Sequence, residues 1–286
     1  MGWRGRSFSR RTFNVLHSSD AVVGRRVLYH VGLRTDRVGT CRKGAQMTSV
    51  LTASVILPII IQHPWQRIMT EACIRIMRAN TKLPFELVVV ETESQLFDPK
   101  REFADSADIY LRKHLIDVYI HEPVRSTMVK DLNRAIDACS GTHIVHTGND
   151  VFPQLGWLEA LWECFHIPDC GVATLAASDM KQQPVPAIFE GIYGPFMMFE
   201  SKWRFDNDFN CIGSDTDLIM RVYRDGKRSY RNWRVQVLHF GQATYMGLYS
   251  SEKRATLMNE FNQLFDKKHG DSKLLIYAML KAGQLI

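Results

Sequence analysis

The sequence predicts an α/β fold: a mostly parallel sheet flanked by helices. Three observations predict it. Apolar runs of strand length alternate with segments of helical period. The run Phe85-Glu86-Leu87-Val88-Val89-Val90-Glu91 is almost continuously apolar, as a strand buried on both faces requires. Polar residues gather just past the strands, where a doubly wound sheet places its ligands.

The elements follow in order. Ser54 to Leu57 is a β-type run ending at Pro58. Trp65, Ile68, Met69, Ala72, Cys73, Ile76 and Met77 recur at steps of three and four, marking one helix face from about Pro64 to Ala79, with Pro64 suited to the first turn. After "FELVVVE", the run "IDVYIHE" reads as a third strand, "MVKDLNRAIDAC" as a helix and "HIVHT" as a fourth strand. This is βαβαβ order, which implies right-handed crossovers. Further strands are read at "CGVATLAAS", around "GIYGPFMMFE" and at "RVQVLHFG". "DTDLIMRVYRDG" is helical with Gly226 as its stop, and residues 251–280 are mostly helical. The expected division is a basic extension over 1–46, disordered or non-native, one domain over 47–250 and a C-terminal helical segment over 251–286.

The formal charge of +6 is unevenly spread. Residues 1–46 hold ten Lys/Arg and two acids, Asp20 and Asp36, leaving 26 basic and 28 acidic side chains in 47–286. The body therefore makes no case for nucleic acid. The basic segment reads three ways: an arm that touches phosphates, a transit peptide, or an upstream-extended start, since Met47 directly precedes the first regular strand. The last is preferred, and the segment is left out of the expected fold. Six scattered cysteines without a CxxC pair argue against a zinc site and for a reduced, cytoplasmic setting. No run of eighteen apolar residues occurs, so no transmembrane segment is expected.

Four side chains are candidates for chemistry. Asp150 follows the fourth strand in Gly148-Asn149-Asp150, Asp215 and Asp217 open a helix in "GSDTDL", and His239 ends a late strand. Each has a structural alternative: turn former for Asp150, helix cap for one of the acid pair, satisfied core imidazole for His239. Together they suit a hard ion held by Asp150 and His239, with Asp215 left as a base.

In this pattern the chain resembles the family 2 type nucleotide-sugar glycosyltransferases, which have the GT-A (Rossmann-like) fold. The resemblance is carried by Asn133, Ala135, Gly141, "THIVH" and Gly148-Asn149-Asp150 in unbroken register, then by "GWLEAL", "SVILP", "LVVVETES", the stretch from Gly194 to Arg228 and "VLHFGQAT". It covers roughly residues 53–245. It implies an inverting, metal-dependent transfer from a nucleotide-diphosphate sugar to the hydroxyl of a glycan or other acceptor. It implies that Asp150 and His239 hold Mn²⁺ or Mg²⁺ and that Asp215 is the base. Pro58 and Glu91 would line the base and ribose pocket, Asn133 would lie on the nucleotide side, and Asn149 would supply a neutral oxygen. Apart from the resemblance, Tyr193 and Trp203 are the aromatics of the acceptor half read as stacking on a sugar ring, and Asp217 is read as a further substrate contact.

This chain departs from the family pattern at Gly148 and Ser214, where the family carries acids, and at Glu91, where Asp is usual. Two other functions stay open. One is a non-catalytic binder of nucleotide sugars or glycans. The other is a sugar-1-phosphate nucleotidyltransferase, which "PIIIQHPWQR" disfavours because it contains no glycine to cradle phosphates.

Overall fold

Alternate side chains of the central strands are claimed by two different helical layers. In strand β2 (Ala53–Ile59), Val55, Leu57 and Ile59 join one apolar core while Ile56 joins the other. This is why the strand reads as a continuous apolar run and not as an alternation. The computed structural model describes residues 27–30 (backbone only), 52–92, 113–122, 124, 126–178, 188–190, 196–210, 212–240 and 250–270. The expectations for Tyr193 and for residues beyond 270 lie outside them.

The strands are β1 (Val27–His30), β2, β3 (Phe85–Thr92), β4 (Val118–Glu122), β5 (His143–Thr147), β6 (Val151–Pro153), β7 (Cys170–Ala177), β8 (Ile188–Glu190), β9 (Phe196–Glu200) and β10 (Arg228–His239). The helices are α1 (Pro64–Ala79), α2 (Met128–Ala138), α3 (Trp157–Phe165), α4 (Ser214–Arg224) and α5 (Ser251–His269). One sheet runs β1-β4-β3-β2-β5-β9-β7-β10-β6, with β8 also paired to β10. The two longest registers, β2 with β3 and β7 with β10, are parallel, as are β3–β4 and β2–β5. Strand β9 runs against both its neighbours, pairing Thr147 with Phe196 and His143 with Glu200. Strands β5 and β7 therefore point the same way, and the carboxyl ends of β2, β3, β4, β5, β7 and β10 share one end of the sheet. Helices α1 and α3 cover one face, and α2, α4 and α5 the other.

Residues 27–30 of the basic segment pair antiparallel with β4. Two expectations need correcting. Strand β10 begins at Arg228, earlier than the apolar run, because Ser229 and Asn232 bury polar side chains that a hydrophobic pattern does not register. The face of α1 is also rotated. Trp65 (44% exposed) and Ile68 (68%) look outward, while Gln66 and Thr70 are fully buried. Among the described residues, no helix is long and apolar enough to cross a membrane.

Candidate active site

The turn after β5 has its own anchorage. Cys73 Sγ lies 3.2 Å from the Val151 carbonyl and 3.7 Å from that of Gly148, and Asn149 Nδ2 donates to Thr70 Oγ1 at 2.8 Å. Burial, and then the nearby Asp150 charge, push the Cys73 thiol up to about 12, so it stays a protonated donor at neutral pH. A Cβ built on Gly148 would stand 2.7 Å from Asp150 Oδ1, so the carboxylate lies back over a residue without a side chain.

Beyond the turn, β6 crosses to the far edge and pairs antiparallel with β10, Val151 opposite His239. The Phe240 amide donates to the Asp150 carbonyl at 3.0 Å. This pairing brings Asp150 Oδ2 within 3.8 Å of His239 Nε2, with the acid buried and the imidazole partly exposed. The acid and the histidine singled out in sequence are thus neighbours.

Asp215 reaches the same end of the sheet by another route. The C-terminus of α4 feeds β10, which rises from Arg228 opposite Cys170 to His239, so the first turn of α4 lies at the carboxyl end. Gly213 caps the helix at φ +77 with no side-chain bond. A Cβ there would meet the Phe261 ring of α5 at 1.9 Å, so both the backbone and the space demand glycine. Asp215 Oδ1 accepts from the Thr216 amide at 2.8 Å. Burial raises its pKa above the ordinary 3.8, opposed by that bond.

The other expected residues divide. Pro58 and Glu91 stand at the carboxyl ends of β2 and β3, where Glu91 accepts a hydrogen bond from Tyr119. Asp217 is buried and binds His269 Nε2 at 2.9 Å and Arg221 Nε at 2.8 Å, which ties α4 to α5. Asn133 holds the segment after β9, bonding the Phe205 carbonyl at 2.8 Å and the Phe205 amide at 2.9 Å. Trp203 follows the end of β9, beside His143 at the start of β5, and so sits at the opposite end of the sheet from Asp150. Asn149 is buried and turned toward α1. Of these four, Asp217, Asn133 and Asn149 are bonded to other elements, and Trp203 lies at the far end of the sheet.

Sequence reasoning missed Gln66 and Thr70. Their signal was two polar residues one helical turn apart inside an amphipathic segment. It also missed the network at the ends of β3 and β4, where Asp131 Oδ2 accepts from Thr92 at 2.6 Å and Arg134 lies 3.1 Å from Asp131 and 3.4 Å from Glu122.

No protein-family model and no curated protein matches the chain. Solved structures do. The mannosyltransferase PcManGT from Pyrobaculum calidifontis, in complex with GDP-Man and Mn²⁺, superposes with a TM-score of 0.52 at 17% identity over 69% of this chain. GalNAc-T7 with UDP, GalNAc and Mn²⁺ superposes with a TM-score of 0.51 at 10% identity over 67%.

This is the GT-A fold. The chain spans 59% of the mannosyltransferase and 44% of GalNAc-T7, roughly half their lengths. At such identities the likeness concerns the fold.

Asp150 and His239 stand side by side at the carboxyl end of the sheet. A carboxylate oxygen and an imidazole nitrogen are both suitable donors for Mn²⁺. Adjacent ligands of an octahedral ion, bonded at about 2.1 Å, lie about 3 Å apart, so the 3.8 Å separation requires less than an ångström of closure. Among the described residues, no group of three His, Cys, Asp or Glu side chains is placed to hold an ion. An ion bound by only two side chains would take its remaining ligands from water and substrate phosphates.

Proposed function

We propose that this chain is an inverting glycosyltransferase that moves a sugar from a nucleotide-diphosphate sugar to an acceptor hydroxyl, with Mn²⁺ or Mg²⁺ as cofactor. The observation that carries it is the juxtaposition, at the carboxyl end of a GT-A sheet, of Asp150 beside His239, with Asp215 opening a helix at that same end. The Mn²⁺ complexes of PcManGT and GalNAc-T7 support the choice of cofactor.

Asp150 and His239 hold the ion, which when bound offsets charge on the departing nucleotide diphosphate. Glu91 and Pro58 form the wall of the nucleoside side. Asp215 accepts the acceptor's hydroxyl proton as that oxygen attacks the anomeric carbon in line with the departing diphosphate, inverting the centre. The desolvation that raises its pKa also makes it a stronger base than an exposed aspartate, provided it is ionised at the working pH.

Asp215→Asn keeps the shape and removes the base. Transfer is expected to fall by about 10²–10⁴ while donor binding measured by calorimetry is retained. Normal turnover in that variant would remove Asp215 from the mechanism. The competing function, a non-catalytic binder, is favoured by the two-donor site and by Gly148 and Ser214 in place of acids. It predicts nucleotide-sugar binding with neither transfer nor hydrolysis in the unsubstituted protein.

A further inference from the structure

Helix α1 buries three polar side chains, two of which, Thr70 and Cys73, bond the turn that carries Asp150. Gln66, Thr70 and Cys73 are all fully buried and spaced by four and three, so they form one stripe along the helix. The chain of bonds starts at the helix entry, where Gln66 Oε1 accepts from the Gln62 amide at 2.6 Å and the His63 amide at 3.0 Å. One turn on, Thr70 Oγ1 donates to the Gln66 carbonyl at 2.8 Å. A hydroxyl has one proton, and this bond uses it, so the oxygen meets Asn149 as an acceptor. Cys73 closes the stripe on the Val151 carbonyl. Residues on both sides of Asp150 are thereby tied to α1, while its carboxylate is directed at His239.

This arrangement is costly as packing. A helix serving only the core would bury Trp65 and Ile68 and leave Gln66 and Thr70 in water. Here the exposures are reversed, and Gln66 Nε2 is buried with no hydrogen-bond partner. Departures from local consistency of this kind concentrate at functional sites.

We propose that Thr70 is a positioning residue for Asp150, acting through Asn149. Its hydroxyl is the peg that fixes the turn so that the carboxylate and His239 take one ion together. The inference rests on Asp150 and His239 being the ion's protein ligands. It goes beyond that assignment by making the ion's affinity depend on a side chain that does not touch the ion.

The test compares the full-length unsubstituted protein with Thr70→Val, which keeps the shape and loses the hydroxyl, and with Thr70→Ser, which restores it. Mn²⁺ is titrated by electron paramagnetic resonance of the free ion, in the presence of UDP and separately of GDP. The half-saturating Mn²⁺ concentration is expected to rise about 10–100-fold in Thr70→Val, as for loss of a group that orients a metal ligand, and to return to within about two-fold in Thr70→Ser. Asn149→Ala removes the same bond from the other side and carries the test if Thr70→Val does not fold. The double variant should be no worse than either single one. Unchanged Mn²⁺ affinity in both single variants would overturn the inference and leave the site assignment standing. Failure of Thr70→Ser to restore the affinity would also overturn it. If the unsubstituted protein takes up no Mn²⁺ with either nucleotide, the site assignment falls first and the inference with it.

Discussion

At Asp215 two physical effects oppose each other. Burial penalises the charged carboxylate, while the Thr216 amide and the helix start favour it, and burial wins. An acid whose folded pKa lies above its unfolded value is destabilising once ionised. That cost is absent below about pH 3.8, grows as pH rises through the folded pKa, and is complete above it. Asp215→Asn should therefore be more stable than the parent in urea unfolding at pH 7, even as its transfer falls on the proposed mechanism. The same shift predicts that the acid limb of the kcat/KM profile lies above the ordinary aspartate value. A limb at or below 3.8 would show that another group is the base. The acid, its place at a helix start and its candidacy as base were legible in sequence. Its desolvation was not, because the cover over this end of α4 includes Phe261, from an element distant in the chain.

The elements show what a period can and cannot reveal. The apolar spacing of α1 correctly marks a helix, but the face chosen from Trp65 and Ile68 is not the one that packs, because the helix also anchors the turn at residues 148–151. A hydrophobic pattern counts apolar residues and assigns no value to a buried hydroxyl with a partner. Asp217, the second acid at the start of α4, is bound by His269 of α5, a partner that no local period links to it.

Helix α4 offers a paired test of packing against backbone strain. Gly226 has φ +78, and a methyl group added there would meet nothing within 4 Å, so Gly226→Ala should cost only the left-handed backbone penalty, about 1–2 kcal/mol. Gly213→Ala adds collision with Phe261 and should lose a further 1–3 kcal/mol or so in urea unfolding. Equal losses at the two positions would show that α5 does not press on the start of α4 as described.

For the whole molecule, the alternation of strand and helix through the first half was enough to anticipate the parallel centre of the sheet, and the rule that ligands lie past strand carboxyl ends singled out the turn at Asp150. The antiparallel insertion of β9 between β5 and β7 was not legible, because strand neighbours are set by tertiary packing and not by any local period. That insertion also carries Trp203 to the end of the sheet opposite Asp150. Conversely, the crossing of β6 to β10 turns two residues distant in the chain into a pair 3.8 Å apart.

The central claim is that Asp150 and His239 jointly hold a divalent ion against a nucleotide diphosphate. It is tested most directly by the melting temperature of the full-length protein and of Asp150→Asn, each with UDP or GDP, with and without Mn²⁺. Ligand binding to the folded state alone raises the melting temperature by mass action. The account predicts Mn²⁺-dependent stabilisation by at least one nucleotide in the parent and its loss in Asp150→Asn; equal Mn²⁺-dependent stabilisation of both proteins would contradict it.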